Sequence, residues 1–289
     1  MKIAAIAAIA ALVAAFVLPG PAQAAPAAWT EPTPPFRVID NVYYVGSAGI
    51  SAWIIKTPAG LILLDAGMPE YAPTVEANIR ALGFRLADVK ILLISHAHFD
   101  HSGGLARIKA DTGARLIASA GDRHALEHGV YDGSEDDHSL DSPPVKVDGL
   151  VADGGSVALG GVKLTAMITP GHTAGCTNYL LTVRDQGRPH TAFFFCSASV
   201  AANRLVPKPQ YAGIVADYRR TFARLKAVEA DVFLAPHAEF YDLAGKRARL
   251  GQPGPNPFIV PGEVQKVVAA LERGFVKSLT DQSAKAAAR

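Results

Sequence analysis

The sequence predicts one four-layer α/β/β/α sandwich, two sheets packed face to face with helices on the outer faces. Three observations predict it. Short apolar strands come in two batches, each followed by helical periodicity. No Gly/Ser-rich linker separates the batches, so the halves read as one unit. The residues able to carry chemistry fall repeatedly just after an apolar strand, as expected for loops along one edge of a rigid sheet.

The first 24 residues read as a leader outside that fold. Met1-Lys2 is basic, Ile3 to Leu18 is apolar and almost uncharged, and Ala22-Gln23-Ala24 follows Pro19-Gly20-Pro21 as a small-x-small pattern. That order describes a secretory signal peptide cleaved after Ala24, and the Pro-Gly-Pro break comes too early for a spanning helix of ~20 residues. The expectation is a single domain over residues 25–289, exported and without stable membrane association after cleavage. The full sequence's 28 Lys and Arg against 26 Asp and Glu are scattered, which excludes the basic footprint of a nucleic-acid binder. A monomer acting on a small molecule is expected.

A Pro-rich lead-in, Ala25 to Pro35, precedes a hairpin of Phe36–Ile39 and Val42–Val45 about Asp40-Asn41. Gly46 to Gly49 is a loop before the strand Ala52–Lys56, and Pro58-Ala59-Gly60 turns the chain into Leu61–Leu64. Val75, Ile79 and Leu82 repeat at helical spacing over Pro73–Leu82, stopped by Gly83. A strand at Lys90–Ile94 is followed by a helix through Leu105 and Ile108 that Gly113 closes. Leu116–Ala118 is a strand, Asp122–His128 a short helix, and Gly129–Pro144 a polar, acidic loop able to rim a site. The second batch is Ser156–Leu159 and Lys163–Thr169 about Gly160-Gly161, then Asn178–Val183 and Thr191–Phe195. A helix at Asp217–Val228 leads to the strand Asp231–Ala235. The last helix, Glu263–Phe275, carries Val264, Val267, Val268 and Leu271 on one face.

Four strong metal ligands crowd into Ser95-His96-Ala97-His98-Phe99-Asp100-His101. In an extended segment His96 and His98 share a face, leaving Asp100 and His101 to aim elsewhere, as two adjacent metal positions would require. Other strand ends supply Asp65, His172, Ser197 and His237. His96, His98, Asp100, His101, His172 and His237 therefore divide into two sets of three, each with an open position. That is the catalytic rather than the closed structural zinc pattern. Nitrogen-rich ligation selects zinc over magnesium or calcium, and two Zn2+ ions would make water a nucleophile near neutral pH. The chemistry implied is hydrolysis. Cys176 and Cys196 form an even pair, most simply a disulfide in an exported protein, with a zinc thiolate or two free thiols as the alternatives.

His96-x-His98-x-Asp100-His101, Asp65-Ala66-Gly67, Gly171-His172 and the late His237 resemble the metallo-β-lactamase superfamily over nearly the whole mature chain. The superfamily also holds glyoxalase II and acyl-homoserine lactonases, which place a metal-bridging Asp after the strand that here ends in Phe193-Phe194-Phe195. This chain has Cys196-Ser197-Ala198-Ser199 there and no acid from Thr191 through Gln210. That absence, with the stretch Thr169 to Thr177, makes it most similar to the third subclass of zinc β-lactamases. The resemblance implies the four-layer fold and one zinc on His96, His98 and His172. It puts a second zinc on Asp100, His101 and His237, and implies a Cys176–Cys196 disulfide. It further implies hydrolysis of a β-lactam amide in the periplasm, with Asp100 orienting the attacking water and Ser197 and Ser199 holding the substrate carboxylate. An exported lactonase or thioesterase, or a zinc-binding protein without turnover, are the rival expectations.

Asp65 reads as an acid that orients the metal loops by hydrogen bonding rather than as a ligand. His124 and His128 share a helix face without an evident carboxylate, and His138 and His190 read as solvated loop and hairpin residues. Trp53 is either core or a wall of the cleft, core being the commoner fate.

Overall fold

Alternation along single strands decides which core each side chain joins. The computed structural model describes residues 25–288, so the expected leader and its cleavage site lie outside the described residues. β1 (Phe36–Ile39), β2 (Val42–Tyr44), β3 (Trp53–Thr57) and β4 (Gly60–Leu64) form an antiparallel meander. β5 (Val89–Leu93), β6 (Arg115–Ala118) and β7 (Gly149–Leu150) then add in parallel, completing a seven-stranded sheet in chain order. The second sheet holds β8 (Ser156–Leu159), β9 (Val162–Ile168), β10 (Thr177–Asp185), β11 (Arg188–Phe194) and β12 (Val232–Leu234), in the order β12-β11-β10-β9-β8. Only β11 and β12 pair in parallel there.

Helices α1 (Ala72–Ala81), α2 (Phe99–Ser102), α3 (Leu105–Thr112) and α4 (Arg123–His128) belong to the first half; α5 (Ile214–Lys226), α6 (Leu243–Arg249) and α7 (Glu263–Ala287) to the second. In β4, Leu61 and Leu63 join Val75 and Ile79 of α1 and Leu105 and Ile108 of α3 in an outer core. Ile62 and Leu64 face the other way, into a core shared with Leu164, Tyr179 and Phe193 of the second sheet. Tyr218 and Phe222 of α5 and Val264, Val268 and Phe275 of α7 extend that core as the fourth layer. The expected sandwich is the fold found. Trp53 lies between the sheets, its ring 5.5 Å from Phe194 and edge-on to it, so it is core and not a cleft wall.

Several boundaries differ from the sequence reading, each for a local reason. The hairpin between β10 and β11 turns at Gln186-Gly187, both with positive φ, so His190 sits within the ladder opposite Val183 instead of in the turn. α7 continues twelve residues past Phe275, with Leu279 still packed against the core. A Lys277–Asp281 pair at 2.6 Å and Gln282, which bonds Leu205 N at 2.6 Å and Asn203 O at 3.1 Å, carry it on. α6 escaped the reading because it is short, although Asp242 caps it through Gly245 N at 3.2 Å. No helix among the described residues is long and apolar enough to cross a membrane.

The topology fixes where chemistry gathers. β4, β5 and β6 run parallel, so the residues after them leave one edge of the sheet; β11 and β12 do the same across the sandwich.

Candidate metal centre

His96 and His98 leave β5 in extended backbone, but Phe99–Ser102 is a helical turn. Asp100 and His101 therefore diverge from the first two ligands because the chain coils, not because a strand alternates. The ligand atoms of His96, His98 and His172 lie within 4.8 Å of one another, and so do those of His96, Asp100 and His101. His237, after β12, closes the second group, with its Nε2 3.2 Å from His101 Nε2 and 3.4 Å from Asp100 Oδ2. All six sequence-predicted ligands thus meet, five of them buried and His237 half-buried.

Supporting residues fix which nitrogen faces inward. Ser95 donates its N–H and Oγ–H to Asp65 at 2.7 and 2.8 Å, leaving Oγ to accept from His96 Nδ1 at 3.0 Å. His172 Nδ1 donates to Ser199 O at 2.8 Å, which turns its Nε2 toward His96 Nε2, 3.1 Å away. Among the described residues the Nδ1 atoms of His101 and His237 have no hydrogen-bond partner, but each faces a carboxylate at 3.9 Å, Asp65 and Glu239 respectively. Asp65 thus bonds Ser95, which contacts His96, and faces His101 at 3.9 Å.

Burial, with the neighbouring imidazoles, pushes His96 and His98 well below the ordinary histidine range. Burial also lowers His172 to about 4 and His237 to about 3. Asp100 is penalised by burial, yet the facing His101 and His237 outweigh that and hold its carboxyl below the usual range. For His101 burial works against the proton, but Asp100 and Asp65 raise it overall. Neutral imidazole lone pairs 3.1 Å apart repel unless a cation lies between them. Five imidazoles and an ionised carboxylate, closed behind and held by outer hydrogen bonds, fit a divalent metal, and nitrogen-rich donors fit zinc.

The remaining predicted residues lie beside this centre. Cys176 and Cys196 form a disulfide, Cα–Cα 5.7 Å, that joins the His172 loop to the end of β11. Ser199 is half-buried with Oγ 3.3 Å from His172 Nδ1, whereas Ser197 is 1 % exposed and bonds Ser199 N at 3.3 Å. His124 has a carboxylate after all: Asp132, from the following loop, lies 2.6 Å from its Nδ1. His138 sits in the acidic loop, paired with Asp141 at 2.9 Å.

Four residues near the centre went unread in the sequence. Tyr131, from the 129–144 loop, stacks on His98 with ring centroids 4.4 Å apart and donates to Asn203 Oδ1 at 3.0 Å. Asn203 in turn donates to His172 O at 2.9 Å. Trp29, in a 3-10 turn of the lead-in (Ala27–Trp29), stands 5.4 Å from the His237 ring. Asp122 bonds Ala97 N at 3.1 Å and Gly175 N at 2.9 Å. The rule that flagged the other strand ends, applied to β6, would have found Asp122; nothing local marks Tyr131 or Trp29.

Known proteins resemble this chain in sequence and fold. The model of the metallo-beta-lactamase superfamily matches residues 45–185. The subclass B3 metallo-beta-lactamase BJP-1 of Bradyrhizobium japonicum is 49% identical with a TM-score of 0.88, over 90% of this chain and 98% of that one. The FEZ-1 metallo-beta-lactamase of Legionella gormanii is 35% identical with a TM-score of 0.85, over 88% and 98%. Hydroxyacylglutathione hydrolase of Rhodospirillum rubrum is 33% identical over 111 residues, 38% of this chain and 35% of its own length. The chain spans less than half the length of the curated relatives it matches. A likeness that runs nearly end to end through solved structures, at up to 49% identity, settles the kinship: the chain belongs to the metallo-beta-lactamase superfamily, with its structural likeness to subclass B3.

Proposed function

We propose that this is an exported, periplasmic β-lactamase that opens the β-lactam amide of penicillins, cephalosporins or carbapenems with two zinc ions, and so confers resistance to them. One observation carries the reading. Six ligands converge while the end of β11 offers a disulfide and two serines where thioester- and lactone-cleaving kin place a bridging acid. The likeness to BJP-1 and FEZ-1 over 98% of each supports it.

His96, His98 and His172 would hold one ion, Asp100, His101 and His237 the other. Zinc at such a centre supplies Lewis acidity, polarising a scissile carbonyl and acidifying water toward neutral pH. The protein does the rest. Asp100 is ionised and faces into the cluster, so its carboxylate accepts a hydrogen bond from the attacking water and aims the oxygen lone pair at the carbonyl carbon. Ser199 Oγ donates to the substrate carboxylate, and the buried Ser197 acts through Ser199 by holding its N–H.

Steady-state hydrolysis of a penicillin, a cephalosporin and a carbapenem, run beside a glutathione thioester and an acyl-homoserine lactone, tests this. β-Lactam turnover that a chelator abolishes and zinc restores is expected. Turnover of the thioester or lactone alone would transfer the chain to the hydrolases that its curated relatives represent. No turnover by zinc-loaded protein would leave a metal-binding role.

The division of ligands has its own check. His237→Ala should release one of the two ions and retain the other, read by elemental analysis after dialysis. A variant that keeps both contradicts the division.

A further inference from the structure

We infer that Asp122 is the positioning residue that locks the His96–His98 loop to the His172 loop, and thereby sets the metal affinity of the three-histidine site. The inference rests on reading those histidines as ligands.

The three histidines come from different halves of the sandwich, so their spacing depends on how two loops are joined. Asp122 is 2 % exposed, at the end of the turn that follows β6. Its Oδ2 accepts from Ala97 N at 3.1 Å, between the two ligands of the first loop, and from Thr173 Oγ1 at 3.2 Å, directly after His172. Its Oδ1 accepts from Gly175 N at 2.9 Å. One carboxylate therefore grips both loops. Asp122 stands at the N-cap of α4, yet its side chain bonds no helix N–H, so capping does not explain it. It makes no salt bridge among the described residues. A buried carboxylate without a cation is costly unless its hydrogen bonds are well made, and these go to the ligand loops.

The backbone is shaped for this contact. A Cβ at Gly175 would stand 2.1 Å from Ser119 Oγ and 2.4 Å from Asp122 N; one at Gly121 would stand 2.5 Å from Ala174 O. Only hydrogen at both positions lets the turn and the loop close together. Ser119 Oγ adds a bond to Gly175 O at 2.7 Å.

Cobalt(II) and zinc titrations of wild type, Asp122→Asn, Asp122→Ala and Thr173→Val test the inference, with a chromophoric chelator resolving the two stepwise affinities. In Asp122→Asn an N–H2 group replaces one acceptor, and one site should weaken about 10–100-fold. The other should hold, and the cobalt ligand-field bands of the weakened site should shift. Thr173→Val should move the same site less. Asp122→Ala extends the series if it folds; Asp122→Asn, which keeps the volume, decides if it does not. Unchanged affinities, or equal loss at both sites with a lowered Tm, would overturn the positioning role. Wild-type protein that binds neither ion would overturn the metal reading and this inference together.

Discussion

Asp100→Asn should lower kcat/KM for a β-lactam by about 10²-fold, the order expected when the group that aims a reactant is lost. The substitution keeps the volume of a side chain that is only 5 % exposed, so the packing survives. It removes the charge that His101 and His237 stabilise. Because those imidazoles hold the carboxyl below its usual range, it is ionised at every pH of a normal assay and contributes no acid limb near its ordinary pKa. On the proposed division Asp100 would also hold the second ion, so the assay needs saturating zinc and a metal count on the same sample. A fall below tenfold at full metal content would remove Asp100 from the proposed chemistry.

Cys176→Ala/Cys196→Ala should cost about 3 kcal/mol of stability, the chain-entropy value for a loop of this length, the cysteines being 20 residues apart. For a domain of this size that is roughly 6–12 °C in Tm. Both cysteines are fully buried, and they join the His172 loop to the segment after β11 that carries Ser197 and Ser199. The thermal loss should come with weaker metal retention at the His172 site. Calorimetry of wild type and the double variant checks the first part. A Tm within a degree of wild type would show that packing alone holds the loop.

The layers were legible because Leu61–Leu64, Ile91–Leu93 and Phe193–Phe195 are apolar on both faces, which only a strand covered on both sides tolerates. The clustered histidines and Asp100 were legible for a related reason: each lies beyond the end of a strand, so locating strands located the cluster. What stayed hidden depends on contacts between remote segments. Asp122 reads locally as a helix cap and acquires its role only when Gly175, 53 residues later, comes beside it. Tyr131 and Trp29 lie in stretches without periodicity and meet the ligands through tertiary placement. The helical turn at Phe99–Ser102 is too short to leave a repeat, so the divergence of Asp100 and His101 was foreseen but its geometric cause was not.

The ligands are also far apart along the chain, from His96 through His172 to His237. Ordering such distant segments together is slow, because the entropy of closing long loops is lost before the contacts form. The coordination sphere cannot exist until both halves have docked. Ions held three donors each by these residues would therefore arrive at a chain that has already chosen its fold, and cobalt colour developing during refolding would time the joining of the halves.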